Sequence, residues 1–304
     1  MLVKQKVGHA NVKCYLPLSI LLILAVAPSC DLVPKQRGPL TGSEIEDSLR
    51  RASVPALHLA ARHGGTSRSK IGGVPDVPDG FEWPSWKGKP LAFLAQIDLS
   101  ALQALPSLSD LPKTGLLYFF YYRADSTTGL YPADRGSWRV IYSPQSEQMT
   151  PAIKPEGLMP DQVFSEKLVD PRPMRSYPDS VRAGIDVTGA EETAAQVEDR
   201  LRREATHGQE QHQVGGFPIP IQDDYMELSC QYASNGLYGG DFSADPKAAE
   251  LEAGIEDWKL LLQLDSDDET GMMWGDAGFL YFWIRTPDLA KKDFSSVWMI
   301  YQCY

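Results

Sequence analysis

Four aspartates and one tryptophan near the C-terminal end form the densest group of side chains that could do chemistry. They are Asp265, Asp267, Asp268, Trp274 and Asp276. Calcium binds six to eight oxygen ligands in flexible geometry, so Asp265, Asp267 and Asp276 are candidate ligands for calcium or another cation. The spacing is not that of an EF-hand, because the required glycine and terminal glutamate are missing from their positions. Acidic turns between strands also commonly cap backbone amides, and both interpretations stay open.

Elsewhere in the chain, the sequence shows no complete catalytic motif. It lacks the His-Glu-x-x-His zinc motif and the Gly-x-Ser-x-Gly nucleophile elbow. His58 and His63 are five residues apart at a predicted strand end, which is poor spacing for metal ligands. Asp265 and Asp276 could act as an acid and a base, but no recognisable residues position a substrate. We therefore expect a binding protein rather than an enzyme, and we assign no catalytic residue.

Three tryptophans lie in predicted loops and could anchor a partner. Trp83 and Trp86 belong to a segment rich in glycine and proline at residues 72–90, and Trp274 lies in the acidic loop. Tryptophan is enriched among the residues that dominate binding energy in interfaces. We therefore expect any docking surface to include these three side chains.

The formal net charge of −11 limits the choice of partner. An acidic surface repels nucleic acid and anionic lipid head groups, so we expect no nucleic-acid partner. The charge suits a basic protein partner or divalent cations. It also fits a protein in which the charge serves solubility alone.

Residues 1–29 have the pattern of a signal peptide. Three lysines precede an apolar run at residues 15–27, which is too short to span a bilayer. Residues 27–30 (Ala-Pro-Ser-Cys) resemble a bacterial lipobox, so we predict a lipoprotein that is lipidated at Cys30 and anchored to the membrane of the cell envelope, facing outside the cytoplasm. A cut by the general signal peptidase and an uncleaved anchor are the alternatives. Residues 30–42 are typical of a tether.

Cys230 and Cys303 are the two cysteines that follow the N-terminal segment. Outside the cytoplasm they could form a disulfide. Both also lie among apolar residues, as small thiols of a hydrophobic core would. The two interpretations stay open at this point.

The second half of the chain repeats the first. Four blocks recur in the same order, namely residues 70–75 and 212–218, 91–98 and 260–265, 115–120 and 278–283, and 138–142 and 298–301. A repeat of this length indicates two copies of one supersecondary unit, packed into a single pseudo-symmetric body. The predicted boundaries are 43–304 for the domain, 55–143 for the first unit, 144–210 for the connector and 211–304 for the second unit.

Strands dominate the predicted secondary structure, and helices lie between them without regular alternation. The sequence therefore predicts an α+β fold with a mainly antiparallel sheet. Predicted strands lie at residues 55–62, 91–97, 116–123, 138–142, 162–168, 226–232, 259–264, 278–285 and 297–303. Predicted helices lie at residues 43–53, with a capping box of Ser43 and Glu46, at 188–205 and at 245–258.

The repeated blocks resemble the YwqG-like family of uncharacterised bacterial proteins over roughly residues 55–304. The most specific segments are Lys70-Ile-Gly-Gly-Val-Pro75, Gly80-Phe-Glu-Trp-Pro84, Phe93-Leu-Ala-Gln-Ile-Asp98, Leu264-Asp-Ser-Asp267 and Gly271-Met-Met-Trp-Gly-Asp-Ala-Gly278. The resemblance implies a duplicated, β-rich α+β fold. It implies no activity and no catalytic residue, and it hints at a role in protection against toxins. The lipoprotein-like N-terminus departs from the family pattern and predicts a location outside the cytoplasm.

Two hypotheses about function follow from these observations. The leading one is a membrane-tethered, non-catalytic protein-binding module, for example an immunity protein that neutralises a basic toxin at the envelope. The competing one is a calcium- or cation-binding envelope protein, or a cation-dependent enzyme, that uses residues 265–276. A structural envelope protein without a specific ligand is the third alternative.

Overall fold

A ten-stranded antiparallel sheet forms most of the computed structural model. The structure describes residues 38–62, 66–123, 127–144, 148–240 and 245–304, and Pro39–Tyr304 make up one compact unit. The predicted signal peptide, the predicted lipidation at Cys30 and most of the predicted tether lie outside the described residues. Within the described ranges, no helix has the length and apolar character needed to cross a membrane.

The described residues form short and long strands with a few helices between them. The strands are β1 (Val54–Ala61), β2 (Lys70–Ile71), β3 (Asp76–Val77), β4 (Ser85–Trp86), β5 (Lys89–Pro90), β6 (Ala92–Asp98), β7 (Leu116–Tyr121), β8 (Trp138–Ser143), β9 (Thr150–Pro151), β10 (Lys167–Ser176), β11 (Gln213–Val214), β12 (Trp258–Asp265), β13 (Phe279–Arg285) and β14 (Trp298–Gln302). The α-helices are α1 (Gly42–Ala52), α2 (Glu191–Thr206), α3 (Met226–Ser234), α4 (Pro246–Leu251) and α5 (Thr286–Ala290).

The strand order of the large sheet is β14-β13-β12-β11-β1-β10-β2-β6-β7-β8, and every neighbouring pair is antiparallel. The pair β1–β10 therefore lies at the centre. From it, β2, β6, β7 and β8 follow on one side, and β11, β12, β13 and β14 follow on the other. The pairs β3–β9 and β4–β5 form two small separate sheets. The prediction of a mainly antiparallel fold with a few helices is confirmed.

The large sheet curls until its two edge strands, β8 and β14, meet. Trp138 on β8 donates from Nε1 to the carbonyl oxygen of Val297, 2.8 Å away. The rings of Trp138 and Trp298 lie 4.9 Å apart, edge to face. Trp298 in turn donates from Nε1 to the carbonyl oxygen of Gly129 at 2.7 Å. These contacts join the two ends of the sheet, so the strands form a nearly closed barrel.

Both faces of strand β7 are covered, which explains its long apolar run in the sequence. Every residue of β7 is buried. On one face of β7, Phe119 packs against Phe282 of β13 with ring centroids 5.1 Å apart. On the other face, Phe120 is covered by Trp83 at 5.4 Å. Because neither face meets water, β7 does not show the apolar–polar alternation of a half-exposed strand.

Two glutamines make corresponding hydrogen bonds on the two sides of the barrel. Gln96 on β6 accepts the backbone N–H of Asp76 at 2.7 Å and donates to the carbonyl oxygen of Arg68 at 2.8 Å. The corresponding bonds of Gln263 on β12 are with the N–H of Ile219 and the carbonyl oxygen of Gln211, both at 2.9 Å. Each fully buried amide thereby satisfies the backbone of the loop that crosses it.

The prediction of a strand at residues 226–232 is wrong, because this segment forms helix α3. Its buried residues include Met226, Ser229, Cys230 and Ala233, which recur at helical spacing. Met, Glu, Leu, Gln and Ala are also good helix formers. The helical period was therefore readable, but it is short and surrounded by turn residues.

The prediction of a strand at residues 162–168 is also wrong, because β10 begins at Lys167 and runs to Ser176 through two prolines. The backbone N–H of Val169 points away from β1 and donates to the carbonyl oxygen of Ser69. By the alternation of an antiparallel strand, the nitrogens of Pro171 and Pro173 point the same way. Since β2 pairs only with Lys167 and Leu168, no ladder hydrogen bond is lost at the prolines.

Two helix predictions need smaller corrections. Helix α1 is capped by Thr41 and Glu44, whose side chains and backbones bond reciprocally, rather than by Ser43 and Glu46. The Thr-x-x-Glu spacing fits the capping box equally well and lies nearer the start of the helix. The predicted helix at residues 245–258 is α4 followed by 3₁₀ turns at Glu252–Asp257.

Gly129 offers a test of the barrel closure. Its φ is +80°, and a Cβ there would overlap the carbonyl oxygen of Met299 on β14. We expect Gly129→Ala to lower the free energy of unfolding by about 3 kcal/mol or more, since large losses come from such backbone clashes. Gly80→Ala is the matched control, because its φ is +77° and no atom lies within 4 Å. That control should cost about 1–2 kcal/mol. Equal losses in urea denaturation would contradict the closure.

Candidate functional site

The acidic residues of the loop after β12 do not converge on one point. Asp265 ends β12 and accepts the backbone N–H of Gln211 at 2.8 Å. Asp267 is buried, with 1% of its surface exposed. Asp268 and Asp276 are exposed. The structure thus separates the predicted ligands, and Asp267 is the one that reaches the interior.

Lys167 supplies the cation that Asp267 faces. Its Nζ lies 3.1 Å from Asp267 Oδ2, 2.9 Å from Glu210 Oε2 and 3.1 Å from Glu269 Oε2. The lysine side chain is 6% exposed and that of Asp267 is fully buried. Asp267 also accepts the backbone N–H of Glu269 through Oδ1, at 2.9 Å. The acidic turn is therefore organised around an internal ammonium group, and we call these residues with His212 the Lys167 cluster.

Glu210, His212 and Asp267 are close enough to suggest a metal site, because one ligand atom of each lies within 4.8 Å of the others. The hydrogen bonds of His212 do not fit that role. Its Nδ1 accepts the backbone N–H of Asp265 at 3.0 Å, so the neutral ring carries its proton on Nε2, which faces Asp267 at 3.3 Å. A metal-binding histidine instead donates from its second nitrogen and leaves the first unprotonated. The calcium site predicted from the loop stays a prediction.

Asp267 and Lys167 hold each other in the ionised state. Burial alone would raise the pKa of Asp267, but His212 and Lys167 outweigh it and the pKa is lowered. Burial would lower the pKa of Lys167, but its three carboxylate partners outweigh it and the pKa is raised. Asp265, by contrast, has a raised pKa because of its burial. A lysine held in its charged form is a poor nucleophile or base, so the cluster points to structure rather than catalysis.

Lys167→Met tests the structural role of this cluster. The change leaves the carboxylate of Asp267 buried without its main cation, and loss of one partner of a buried pair costs about 3–5 kcal/mol. We expect a loss of that size in the free energy of unfolding, measured by urea denaturation. Lys291→Met, at an exposed position, should change it by no more than about 0.5 kcal/mol. Adding Asp267→Asn to Lys167→Met should recover part of the loss, and failure to do so would contradict the role of charge.

The three predicted aromatic anchors pack on the protein itself. Trp83 donates from Nε1 to the carbonyl oxygen of Leu91 at 2.9 Å and covers Phe120. Trp86 lies 5.4 Å from the ring of Tyr122. Both are half-buried, whereas Trp274 is only 2% exposed and donates to the carbonyl oxygen of Asp265. Each of the three indoles thus has an internal packing role.

The two cysteines of the described chain are free thiols. Cys230 on α3 is fully buried, and burial raises its pKa well above the usual value. Cys303 follows β14 and is half-buried, with its Sγ beside Gly275. Of the two interpretations that the sequence left open, the structure therefore has the free thiols and not the disulfide. The physical reason is that α3 places Cys230 in the hydrophobic core, where the thiol packs as a small apolar group.

A cleft of about 330 Å³ opens beside the start of β12 and the middle of β13. Its apolar wall consists mainly of rings and prolines. These are Pro55, Pro106, Phe217, Pro218, Trp258 and Trp283. Arg182, Glu227 and Lys259 supply the charged groups at its edge. The sequence analysis missed this cleft, because its wall comes from five segments far apart in the chain and no local motif marks it. We call it the tryptophan cleft.

The two tryptophans of this cleft differ in their hydrogen bonding. Trp258 donates from Nε1 to Gln231 Oε1 at 2.8 Å. Trp283 is 1% exposed, and its Nε1 has no acceptor among the described residues. A buried donor without a partner costs about 1–3 kcal/mol. Trp283 therefore carries a buried indole N–H that the described part of the fold leaves unsatisfied.

Replacing each tryptophan by phenylalanine tests this difference. Both changes remove the same volume from a buried position, so the cavity costs are comparable. Trp258→Phe also leaves Gln231 Oε1 without its donor, whereas Trp283→Phe removes a donor that has no acceptor. We expect Trp258→Phe to lower the free energy of unfolding by about 1–3 kcal/mol more than Trp283→Phe. Equal losses, or a larger loss for Trp283→Phe, would show that Trp283 has a partner.

The fold and the cleft together define a mainly antiparallel, nearly closed barrel domain with a concave apolar site at its surface. Residues 69–303 match the family model described as "Domain of unknown function (DUF1963)". The match covers most of the chain, so the protein belongs to this uncharacterised family. No curated protein matches the sequence.

Proposed function

We propose that the protein is a non-catalytic protein-binding module that uses the tryptophan cleft. The observation that carries this proposal is a concave cavity of about 330 Å³ that is walled by rings and prolines and has Arg182, Glu227 and Lys259 at its edge. Its volume lies within the range of about 300–1,000 Å³ that is usual for ligand pockets. Apolar walls with a few polar groups suit recognition of a partner's side chain, because the walls provide affinity and the polar groups fix its orientation.

A finer family assignment is part of the same proposal. The protein is of the YwqG-like type, and its barrel is built from two copies of one unit at residues 55–143 and 211–304. Support for the two copies comes from the strand order on either side of the β1–β10 pair. Further support comes from the corresponding hydrogen bonds of Gln96 and Gln263.

The module is proposed to act at the bacterial envelope as a lipoprotein anchored through Cys30. The lipobox-like residues 27–30 and the apolar run before them support this. The net charge of −11 favours a basic protein partner, since opposite charge steers association. Neutralisation of a basic toxin is a role that such a tethered module would fill.

A plug at the mouth of the cleft tests the proposal. Ser107 is exposed and lines the cleft, whereas Ser109 is exposed and does not. The full-length protein is purified in detergent from its own cells, and a protein that co-purifies is produced separately and titrated by calorimetry. We expect it to bind the wild type and Ser109→Trp with similar affinity, and Ser107→Trp at least tenfold more weakly. Equal binding to all three, or no binding by the purified pair at micromolar concentration, would contradict the proposal.

A further inference from the structure

A second hollow, of about 350 Å³, adjoins the tryptophan cleft. Val181 and Tyr225 line it with 75% and 57% of their surface exposed. Contiguous exposed apolar surface that is rimmed by polar residues marks interaction sites in soluble proteins. We call this the acidic hollow, because Asp179, Asp223 and Asp224 also line it.

The acidic hollow and the tryptophan cleft are joined by one ion-pair group. Arg182 lines the cleft, and its Nη2 lies 2.6 Å from Oδ1 of Asp224 in the hollow. Its Nη1 lies 2.7 Å from Oε1 of Glu227, which lines the cleft. The guanidinium also lies 5.9 Å from the ring of Phe217. A ligand that lies across this group would contact both concavities at once.

The charge of this joined surface is negative. Arg182 is already shared between Asp224 and Glu227, so it cannot also neutralise the remaining carboxylates. Asp179 accepts the backbone N–H of Arg182 at 2.7 Å, and Asp223 accepts that of Tyr225 at 3.1 Å. These bonds fix the two carboxylates in place, and neither carboxylate has an ion-pair partner in the described part of the chain. Fixed anions beside exposed apolar groups suit cationic side chains that alternate with apolar ones.

We infer that the partner of the tryptophan cleft presents a basic segment, whose lysine or arginine side chains pair with Asp179 and Asp223 while neighbouring apolar side chains pack on Val181 and Tyr225. This inference rests on the proposed function, because the same segment continues into the cleft across Arg182. The net charge alone predicts only a basic partner, whereas this inference places the contact at two particular carboxylates.

Three matched peptides test the inference. Each is a fluorescein-labelled ten-residue peptide in which leucine alternates with lysine, glutamine or glutamate, and binding to the full-length protein is measured by fluorescence anisotropy at 0.15 M salt. We expect the lysine peptide to bind at least tenfold more tightly than the glutamine peptide, and the glutamate peptide not to bind. The double variant Asp179→Asn/Asp223→Asn should bind the lysine peptide only as weakly as the wild type binds the glutamine peptide.

The control variant combines Asp268→Asn with Asp276→Asn, which removes the same charge from exposed positions in the loop after β12. It should bind the lysine peptide as the wild type does, and equal weakening in both double variants would overturn the inference. Equal binding of the lysine and glutamine peptides, lost in Ser107→Trp, would overturn the basic partner and leave the cleft as a binding site. If none of the three peptides binds at 100 µM, the inference is overturned. The proposed function is tested separately, by the calorimetric titration.

Discussion

The meeting of β8 and β14 is the constraint on which the rest of the structure depends. A ten-stranded sheet that stayed open would expose two edges with unpaired backbone groups. The indole N–H groups of Trp138 and Trp298 bond to backbone carbonyls across the seam, so the sheet closes on itself. Closure creates an interior that one set of side chains fills, and it leaves the outer face to be covered by loops and helices.

Two lysines balance clusters of carboxylates inside the fold. Lys167 has three carboxylate partners, and Lys70 on the neighbouring strand has Asp76 at 3.1 Å and Glu166 at 3.2 Å. Both lysines are largely buried. Through these ion pairs, Lys167 joins β10, the loop after β12 and the loop before β11.

The long apolar strands could be predicted from the sequence, because burial on both faces leaves runs such as those of β7 and β13 without polar residues. Helix α3 could have been predicted from the helical spacing of its apolar residues. Strand β10 could not, since two prolines in a segment argue against a strand unless the pairing of its neighbouring strands is known. Among the candidate site residues, Asp267 was recognised but not its burial, which depends on a lysine one hundred residues away. The tryptophan cleft was out of reach for the same reason, because tertiary structure alone brings its wall together.

The two prolines of β10 have a consequence for how this protein can recognise others. Beyond Leu168, no described strand pairs with the outer side of β10, and an extended peptide could in principle add there by main-chain hydrogen bonds. Pro171 and Pro173 lack the amide hydrogens that such an incoming strand would need. This open side of β10 is thus closed to strand addition and to the self-association that begins in that way. Contacts made there with another molecule therefore have to use side chains rather than an added strand.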